Sequence, residues 1–271
     1  MGAIYNNSGQ VAAGGIATSE GILSGGGGGG VAEVADWASR GVGSDGDWIT
    51  LTDTGAFFRY SSAVGEWVRP FVYSGTPTLH ARVDGDVMPS TQGWTESTPG
   101  ASTISTDGTH VTINAGSNSA DNPALTFSPG SANHVDHFVT GRFHVLWAAG
   151  NSWAASHSRV IDIFTGSTSS SPTVACSLQV YSANNIGLMN WSSQVIGTQC
   201  DTALASTECY VEVYAKGSTV EVYHDHAAHP FTTVALASCP VSSAGPKYYI
   251  GDGTSTGRAA ITVRDLRAGE F

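Results

Sequence analysis

The stretch HDHAAH, from His224 to His229, places imidazoles and a carboxylate close enough together to share one metal ion. Imidazole and carboxylate groups at this spacing can bind zinc or another divalent cation. On an extended strand, His224 and His226 would point to the same side. The alternative is the polar end of a hairpin with exposed histidines, and a short His-rich stretch favours that alternative. We therefore predict no metal site, with His224 and His226 as the residues to test.

A second possible cation ligand lies in the sequence GDG at residues 251–253. Asp252 could bind calcium, which prefers carboxylate and carbonyl oxygens. A turn before the last strand explains the same residues equally well. The sequence therefore predicts no cofactor, and calcium is the one ion that it leaves possible.

Paired carboxylates would be needed for cleavage of a glycosidic bond, in which one group acts as acid and the other as nucleophile or base. Glu208 and Glu212 share a face of one predicted strand, and Glu212 and Glu221 lie on partner strands of a predicted hairpin. Solvent-facing carboxylates account for both pairs more simply. The chain also lacks a phosphate-binding Walker motif. We therefore predict that the protein is not an enzyme.

Glycan binding needs an aromatic ring against the apolar face of a sugar, with polar side chains for its hydroxyls. Three stretches offer this combination: YSANNIGLMNW, VYHD and AAGNSWAASH. Alternatively, their aromatic residues belong to the core or the rim of the domain. The predicted glycan-binding residues are Tyr181, Asn185, Asn190, Trp191, Tyr223, Asp225 and Trp153.

The composition favours strands and turns and excludes some partners. Only 12% of the 271 residues are charged, about half of the usual share of about a quarter. The net charge is −11 and no basic cluster occurs, so we predict no binding to nucleic acid. No stretch is long and apolar enough to span a bilayer, so no membrane association is predicted.

The four cysteines, Cys176, Cys200, Cys209 and Cys239, form no C-x-x-C pair, which argues against a structural zinc site. Four cysteines allow three disulfide connectivities, and the sequence does not choose among them. A domain as long as residues 93–271 does not need disulfides for stability. Buried free thiols are the favoured interpretation.

Residues 1–92 are predicted to form an attachment and oligomerisation region. Residues 1–46 hold 14 of the 34 glycines, including the run Gly25–Gly30, which favours a flexible tether. The apolar residues between 31 and 38 then follow i, i+3, i+4, i+7 spacing, which predicts a short helix ending at Gly41.

The stretch GDWITLTDTGAFFRYSSAVGEWVRP predicts three strands, at 48–52, 56–60 and 66–69, joined by two turns. Such a small meander is unstable unless it packs on something, and its aromatic residues would expose a large apolar surface. We therefore expect these residues to pack between copies of the chain. The predicted oligomer contacts are Trp48, Phe57, Phe58, Tyr60 and Trp67.

Residues 93–271 contain twelve predicted strands between residues 102 and 267 and almost no helix. The clearest hairpin is YVEVYAKGSTVEVYHD, in which Val220 and Val222 alternate with Glu221 and Tyr223, as in a half-buried sheet. Many short strands without helices predict an all-β fold, a sandwich or jelly roll.

The segment LTDTGAFFRYSSAVGEWVRP resembles a small aromatic hairpin in the N-terminal or shaft parts of tailed-bacteriophage fibre and appendage proteins. There a TDTG turn is followed by an aromatic strand and by a strand ending in Trp. Members of that family are usually trimers on the virion. The resemblance therefore implies a homotrimer on the virion surface that contacts other virion proteins through residues 1–92. It also implies synthesis and assembly in the host bacterial cytoplasm, in keeping with the absence of an N-terminal signal peptide.

Residues 93–271 resemble a concanavalin A-like, or laminin G-like, jelly roll. The resemblance rests on STDGTHVTINAG, GRFHVLWAAG, SRVIDIFTG, SLQVYSANNIGLMNW, YVEVYAKGSTVEVYHD and YYIGDGTSTGRAAITVRDLRAGEF. Proteins of this family bind glycans or proteins, sometimes through calcium. A branch that cuts polysaccharides carries an E-x-D-x-E motif, which this sequence lacks.

Together these patterns predict a non-enzymatic phage structural protein whose jelly roll binds a host-surface glycan or another receptor, as in a tail fibre, spike or head fibre. The main alternative is a capsid decoration protein that stabilises the head. A polysaccharide depolymerase is a further alternative, and the missing export signal argues against a bacterial surface adhesin.

Overall fold

The computed structural model describes the chain in parts. Side chains are described for residues 31–69, 77–115, 123–129, 136–144, 208–215, 218–235, 248–251 and 260–270, and further strands are described by their backbone alone. The glycine run Gly25–Gly30 lies outside the described residues. The chain divides into two compact units, Met1–Pro77 with His226–Ala228, and Thr78–Asp225 with His229–Phe271.

The first unit contains a two-stranded hairpin and a four-stranded sheet, in which the order is β3-β4-β5-β6. Its strands are β1 (Gly15–Thr18), β2 (Gly21–Ser24), β3 (Ala32–Val34), β4 (Trp48–Leu51), β5 (Phe57–Ser61) and β6 (Glu66–Val68). Strand β3 runs parallel to β4, and β4, β5 and β6 are antiparallel. The three strands predicted for this segment are confirmed, and no strand end is shifted by more than one residue.

The helix predicted from residue 31 to Gly41 is wrong. Residues of β3 pair with β4, and a short 3-10 turn, Trp37–Ser39, follows. Asp36 begins this turn and its carboxylate accepts a hydrogen bond from the backbone N–H of Ser39 at 2.8 Å. The apolar spacing of this segment is compatible with a helix, but pairing with β4 satisfies its backbone groups and prevails over so short a helical pattern.

The aromatic residues of the meander pack within one chain. Phe58 and Trp67 are buried. The Phe58 ring meets Trp37 edge-on at a centroid distance of 4.8 Å, and Trp67 contacts Tyr60 at 5.3 Å. Trp67 also donates its indole N–H to the Gly41 carbonyl at 2.9 Å. Phe58 and Trp67 therefore need no second copy to leave solvent, whereas Trp48, Phe57 and Tyr60 are half-buried. The homotrimer stays a prediction.

The second unit is a β-sandwich of two sheets, as the all-β jelly-roll prediction requires. Its strands are β7 (Thr78–Val83), β8 (Thr95–Ser97), β9 (Thr103–Thr106), β10 (Val111–Asn114), β11 (Ala124–Phe127), β12 (His137–Trp147), β13 (Ser158–Asp162), β14 (Ser177–Ser182), β15 (Asn185–Met189), β16 (Val195–Asp201), β17 (Cys209–Lys216), β18 (Thr219–His224), β19 (Thr232–Ala235), β20 (Tyr248–Gly251) and β21 (Ala259–Glu270). A second 3-10 turn, Pro89–Gln92, follows β7.

The larger sheet has the order β19-β18-β17-β12-β21-β10-β9, with β7 also paired to β21. The smaller sheet has the order β16-β15-β14-β13-β20-β11-β8. The predicted hairpin is confirmed as β17 and β18, with Val213 opposite Val222. Strand β7 pairs with β21, so Thr78–Val83 belongs to the second unit. The domain division predicted after residue 92 stays a prediction.

Alternation along the strands of the larger sheet creates the core. In β17, Cys209, Val211, Val213 and Ala215 belong to one apolar cluster, because every second side chain points to the same face. Matching residues of the other strands and of β11 and β20 complete the cluster. Within the described residues no helix is long and apolar enough to cross a bilayer.

Candidate functional site

Consecutive side chains at the start of β17 point to opposite faces of the larger sheet. Cys209 points into the apolar core, so its neighbours Glu208 and Tyr210 point to the other face. Arg142 of β12 pairs with Tyr210 of β17 on one side and with Arg264 of β21 on the other. Residues that are far apart in sequence therefore meet around Glu208.

Glu208 lies at the centre of an ionic cluster that we call the Glu208 cluster, made of Glu208, Arg264, Arg142, His110 and Asp265. Arg264 donates from Nε to both carboxylate oxygens at 3.0 and 2.8 Å, and from Nη2 to Oε1 at 2.6 Å. His110 Nε2 lies 3.0 Å from the other oxygen. This fork geometry is the strongest form of carboxylate–guanidinium contact.

Arg142 is placed differently from Arg264. Its Nη1 lies 3.8 Å from Glu208 Oε1 and its Nε lies 3.6 Å from Asp265 Oδ2, so both contacts are ion pairs beyond hydrogen-bond distance. Its guanidinium carbon lies 5.7 Å from the centre of the Tyr210 ring. Arg142 makes no hydrogen bond to a described residue, and 24% of its side chain is exposed. Its N–H groups are therefore available to a ligand.

The charges in this cluster shift two pKa values. Burial of Glu208 opposes its ionisation, but hydrogen bonds and charge from Arg264, with smaller contributions from His110 and Arg142, outweigh burial and lower its pKa. The same hydrogen bonds to Glu208 raise the pKa of Arg264. Glu208 therefore stays a carboxylate that fixes the positions of the cations around it.

A turn before β10 positions His110. The carboxylate of Asp107 accepts hydrogen bonds from the backbone N–H groups of His110 and Thr109, both at 2.8 Å. These bonds lower the pKa of Asp107. The turn directs the His110 ring towards Glu208, 98 residues later in the chain.

Three potential metal ligands lie together at the same strand end. Atoms of Cys209, His224 and Asp225 all lie within 4.8 Å of one another. His224 follows Val222 on the core side of β18 and is opposite Val211 of β17. Asp225 comes next, in a left-handed conformation with φ of 44°.

The predicted glycan residues are only partly described. Tyr223 is buried, donates its hydroxyl to Glu221 at 2.9 Å and packs edge-on against Tyr214. The prediction that its ring forms an exposed sugar platform is therefore wrong, because tyrosines on neighbouring strands pack together. Asp225 is exposed, and its role in glycan binding stays a prediction. Trp153, Asn190 and Trp191 lie outside the described residues, and only the backbone is described for Tyr181 and Asn185.

The predicted metal residues do not come together as expected. His224 joins Cys209 and Asp225, while His226 belongs to the first unit, where its ring stacks on Trp37 at a centroid distance of 3.8 Å. The reason is the backbone after β18, since Asp225 and His226 both have positive φ and strand alternation ends there. Asp252 lies outside the described residues.

Sequence reasoning missed the main partners in both groups. The sequence predicts a buried thiol at Cys209 and presents Glu208 only as one member of a carboxylate pair. Glu212, the other member, is buried and accepts a hydrogen bond from the Tyr214 hydroxyl at 2.6 Å. A strand register for β12, β17 and β21 would have been needed to find Arg142 and Arg264.

No protein-family model and no curated protein sequence matches the chain. Among solved structures, a carbohydrate esterase from Shiga toxin-encoding bacteriophage phi24B aligns with a TM-score of 0.49 and 16% identity, over 72% of this chain and 99% of its own. The receptor-binding domain of botulinum neurotoxin type G aligns with a TM-score of 0.44 and 9% identity, over 70% of this chain. This chain covers 47% of that toxin structure, or about half of its length. The alginate lyase A1-II', of polysaccharide lyase family 7, aligns with a TM-score of 0.42 and 12% identity, over 64% and 85% of the two chains.

These likenesses concern the fold alone, and they correct one prediction. The expectation that the protein is not an enzyme is contradicted, because a carbohydrate esterase and an alginate lyase are among the structures similar to this chain. The sequence also contains G-x-S-x-G at residues 253–257, outside the described residues. That pattern assigns no activity without its strand–turn–helix context.

Proposed function

We propose that the second unit binds a glycan on the surface of a host cell and that Arg142 donates hydrogen bonds to it. The observation that carries the proposal is the partly exposed guanidinium of Arg142, which is fixed between two carboxylates without a hydrogen bond to a described residue. A planar guanidinium presents several N–H groups in a rigid fork, which suits neighbouring sugar hydroxyls or a sugar carboxylate.

The surrounding residues support this role by making the site rigid before ligand binding. Arg264 and His110 hold Glu208 in place, and Glu208 and Asp265 hold Arg142. Side chains that are already ordered lose little conformational entropy when they bind a ligand. The Tyr210 ring, 5.7 Å from the guanidinium carbon, packs beside Arg142 and adds to this order.

The test is glycan binding by the purified full chain, measured on an array of bacterial surface polysaccharides and then by calorimetry. We expect Arg142→Gln to weaken binding at least about tenfold, equivalent to about 1.4 kcal/mol. Arg82→Gln is the matched control, because Arg82 is 60% exposed and its ion pair is with Asp84, which does not belong to the Glu208 cluster. Equal binding by Arg142→Gln and the native chain would contradict the proposed site.

We further propose that the protein is a trimeric appendage on the surface of a phage particle, assembled in the host cytoplasm and attached through residues 1–92. Support comes from the resemblance of the TDTG segment to phage appendage hairpins and from its three-stranded form in β4, β5 and β6. Electron microscopy of virions labelled with antibody against residues 93–271 tests this location. Label at the tail is expected, label over the head would instead indicate a decoration protein, and unlabelled particles would contradict a virion location.

A further inference from the structure

Cys209, His224 and Asp225 form a compact group of three chemically different ligands inside the second unit, apart from the Glu208 cluster. We propose that this Cys209 group binds one zinc ion. Its three ligand atoms lie within 4.8 Å of one another. The Cys209 group is separate from the proposed glycan site, because Cys209 points to the opposite face of the sheet from Glu208 and Arg142.

The ligand types favour zinc over the hard cations. Calcium and magnesium prefer oxygen ligands, whereas a thiolate and an imidazole suit a borderline ion such as zinc. Tetrahedral zinc ligands at about 2.0–2.1 Å from the metal are separated from each other by about 3.3–3.4 Å. His224 Nε2 lies 3.3 Å from Asp225 Oδ2, which matches this separation.

His224 carries the second observation that points to a ligand. Its Nε2 atom is buried and forms no hydrogen bond, although Asp225 is near. A buried polar atom without a hydrogen bond destabilises the folded state, because it has lost its bonds to water without replacing them. Coordination of a metal by this nitrogen would remove that cost.

The backbone around β17 orients the carboxylate. Asp225 donates its backbone N–H to the Tyr210 carbonyl at 2.9 Å, and its Oδ1 accepts the Tyr210 N–H at 3.0 Å. The other carboxylate oxygen, Oδ2, does not take part in that bond and lies 3.3 Å from His224 Nε2. Metal-binding carboxylates are commonly fixed in this way by a hydrogen bond to the oxygen that does not bind the metal.

Burial of the three residues increases from the surface inwards, which provides a path for the ion. Asp225 is exposed, His224 is intermediate and Cys209 is buried among apolar side chains. The apolar surroundings strengthen the attraction between a thiolate and a cation. Three protein ligands leave one of the four positions of a zinc ion for water or another ligand.

The proposal is tested on the full chain, stripped of metal by a chelator under reducing conditions and titrated with Zn²⁺ by calorimetry. We expect the His224→Gln and Cys209→Ser substitutions to weaken the affinity at least about 100-fold, beyond the 10–100-fold typical of changes around the ligands. Co²⁺ is the spectroscopic probe, and a thiolate-to-cobalt charge-transfer band is expected in the native chain but not in Cys209→Ser.

His229→Gln is the matched control, because His229 is exposed in the same segment and does not belong to the Cys209 group. Its zinc affinity should equal that of the native chain. Cys209 is buried, so thermal unfolding is measured for each variant. The partly exposed His224 and the exposed Asp225 provide variants that disturb the core less. Unchanged zinc affinity in folded His224→Gln and Asp225→Asn, or a cobalt spectrum without the thiolate band, would overturn the proposal.

Discussion

Arg142 and Arg264 are the same residue type in one cluster, yet their surroundings give them different roles. Arg264 uses its fork on Glu208 and holds β21 to the start of β17. Arg142 contacts the carboxylates only at ion-pair distances. Loss of Arg264 would therefore mainly affect stability, while loss of Arg142 would mainly affect the proposed glycan binding.

Asp45 provides a residue-level prediction about pH. Its Oδ1 accepts hydrogen bonds from the backbone N–H of Ser62 at 2.9 Å and from the Ser62 hydroxyl at 3.1 Å. These bonds lower the pKa of Asp45. A carboxyl whose pKa is lower in the folded state stabilises the fold above the unfolded value, about 3.9, and this contribution is lost as pH falls through the folded pKa.

We therefore expect Asp45→Asn to be less stable than the native chain at pH 6, with the difference shrinking as pH falls to about 3. Urea unfolding at a series of pH values measures it, and carboxyl NMR gives the Asp45 pKa directly. Asp53→Asn is the control, because Asp53 is exposed and accepts no hydrogen bond from a described residue. A stability difference that stays constant over this pH range would show that the bonds to Ser62 do not depend on the charge.

At the level of strands, local sequence predicted much of the second unit. The hairpin of β17 and β18 was found because Val220 and Val222 alternate with Glu221 and Tyr223 around a short turn. Strands β7, β8 and β16 were missed, because they are short, polar or next to turn-rich stretches. The helix near residue 31 was predicted wrongly because its apolar spacing says nothing about the distant strand β4 with which the segment pairs.

The candidate sites were less accessible to sequence reasoning than the strands. The Glu208 cluster joins residues 110, 142, 208 and 264, so it depends on the pairing of three strands and one turn. The Cys209 group likewise depends on a bend after His224, where Asp225 takes a positive φ. No local pattern specifies either juxtaposition.

Gly269 gives a prediction about strand pairing. It lies opposite Leu79 of β7 and Phe138 of β12, and a Cβ there would press on the Thr78 carbonyl oxygen and approach the Phe138 ring at 2.9 Å. We expect Gly269→Ala to lower the free energy of unfolding by about 1–3 kcal/mol, the usual cost of overpacking. Urea unfolding followed by circular dichroism measures the change.

Gly41→Ala is the control for this substitution, since nothing lies within 4 Å of a Cβ at that position. Its effect should stay within about 0.5 kcal/mol. If Gly269→Ala were as stable as the native chain, the close approach of β7 and β21 would be contradicted.

For the whole molecule, the main feature is that the larger sheet is assembled from distant parts of the chain. His137 pairs with Glu270, and Val111 pairs with Val263. Strand β21 lies in the interior of the sheet, between β12 on one side and β10 and β7 on the other. The two halves of the sheet are therefore joined through β21.

Such non-local pairing predicts slow refolding, in milliseconds to seconds or longer, because loops of more than a hundred residues must close first. Stopped-flow tryptophan fluorescence after dilution from urea measures the rate. If β21 joins the sheet in the rate-limiting step, Val263→Ala slows refolding, while Val234→Ala in the edge strand β19 mainly speeds unfolding. Refolding complete in microseconds, or a refolding rate unchanged by Val263→Ala, would contradict this view.

The interior position of β21 also has a consequence during translation. About 110 residues separate the end of β12 from the start of β21, so a ribosome adding about 5–20 residues per second needs roughly 6–20 s to produce the joining strand. Throughout that interval the nascent β10 and β12 expose apolar side chains, including Ile113 and Phe143, that are fully covered later. Until β21 has been made, these exposed apolar side chains make the unfinished chain prone to aggregation.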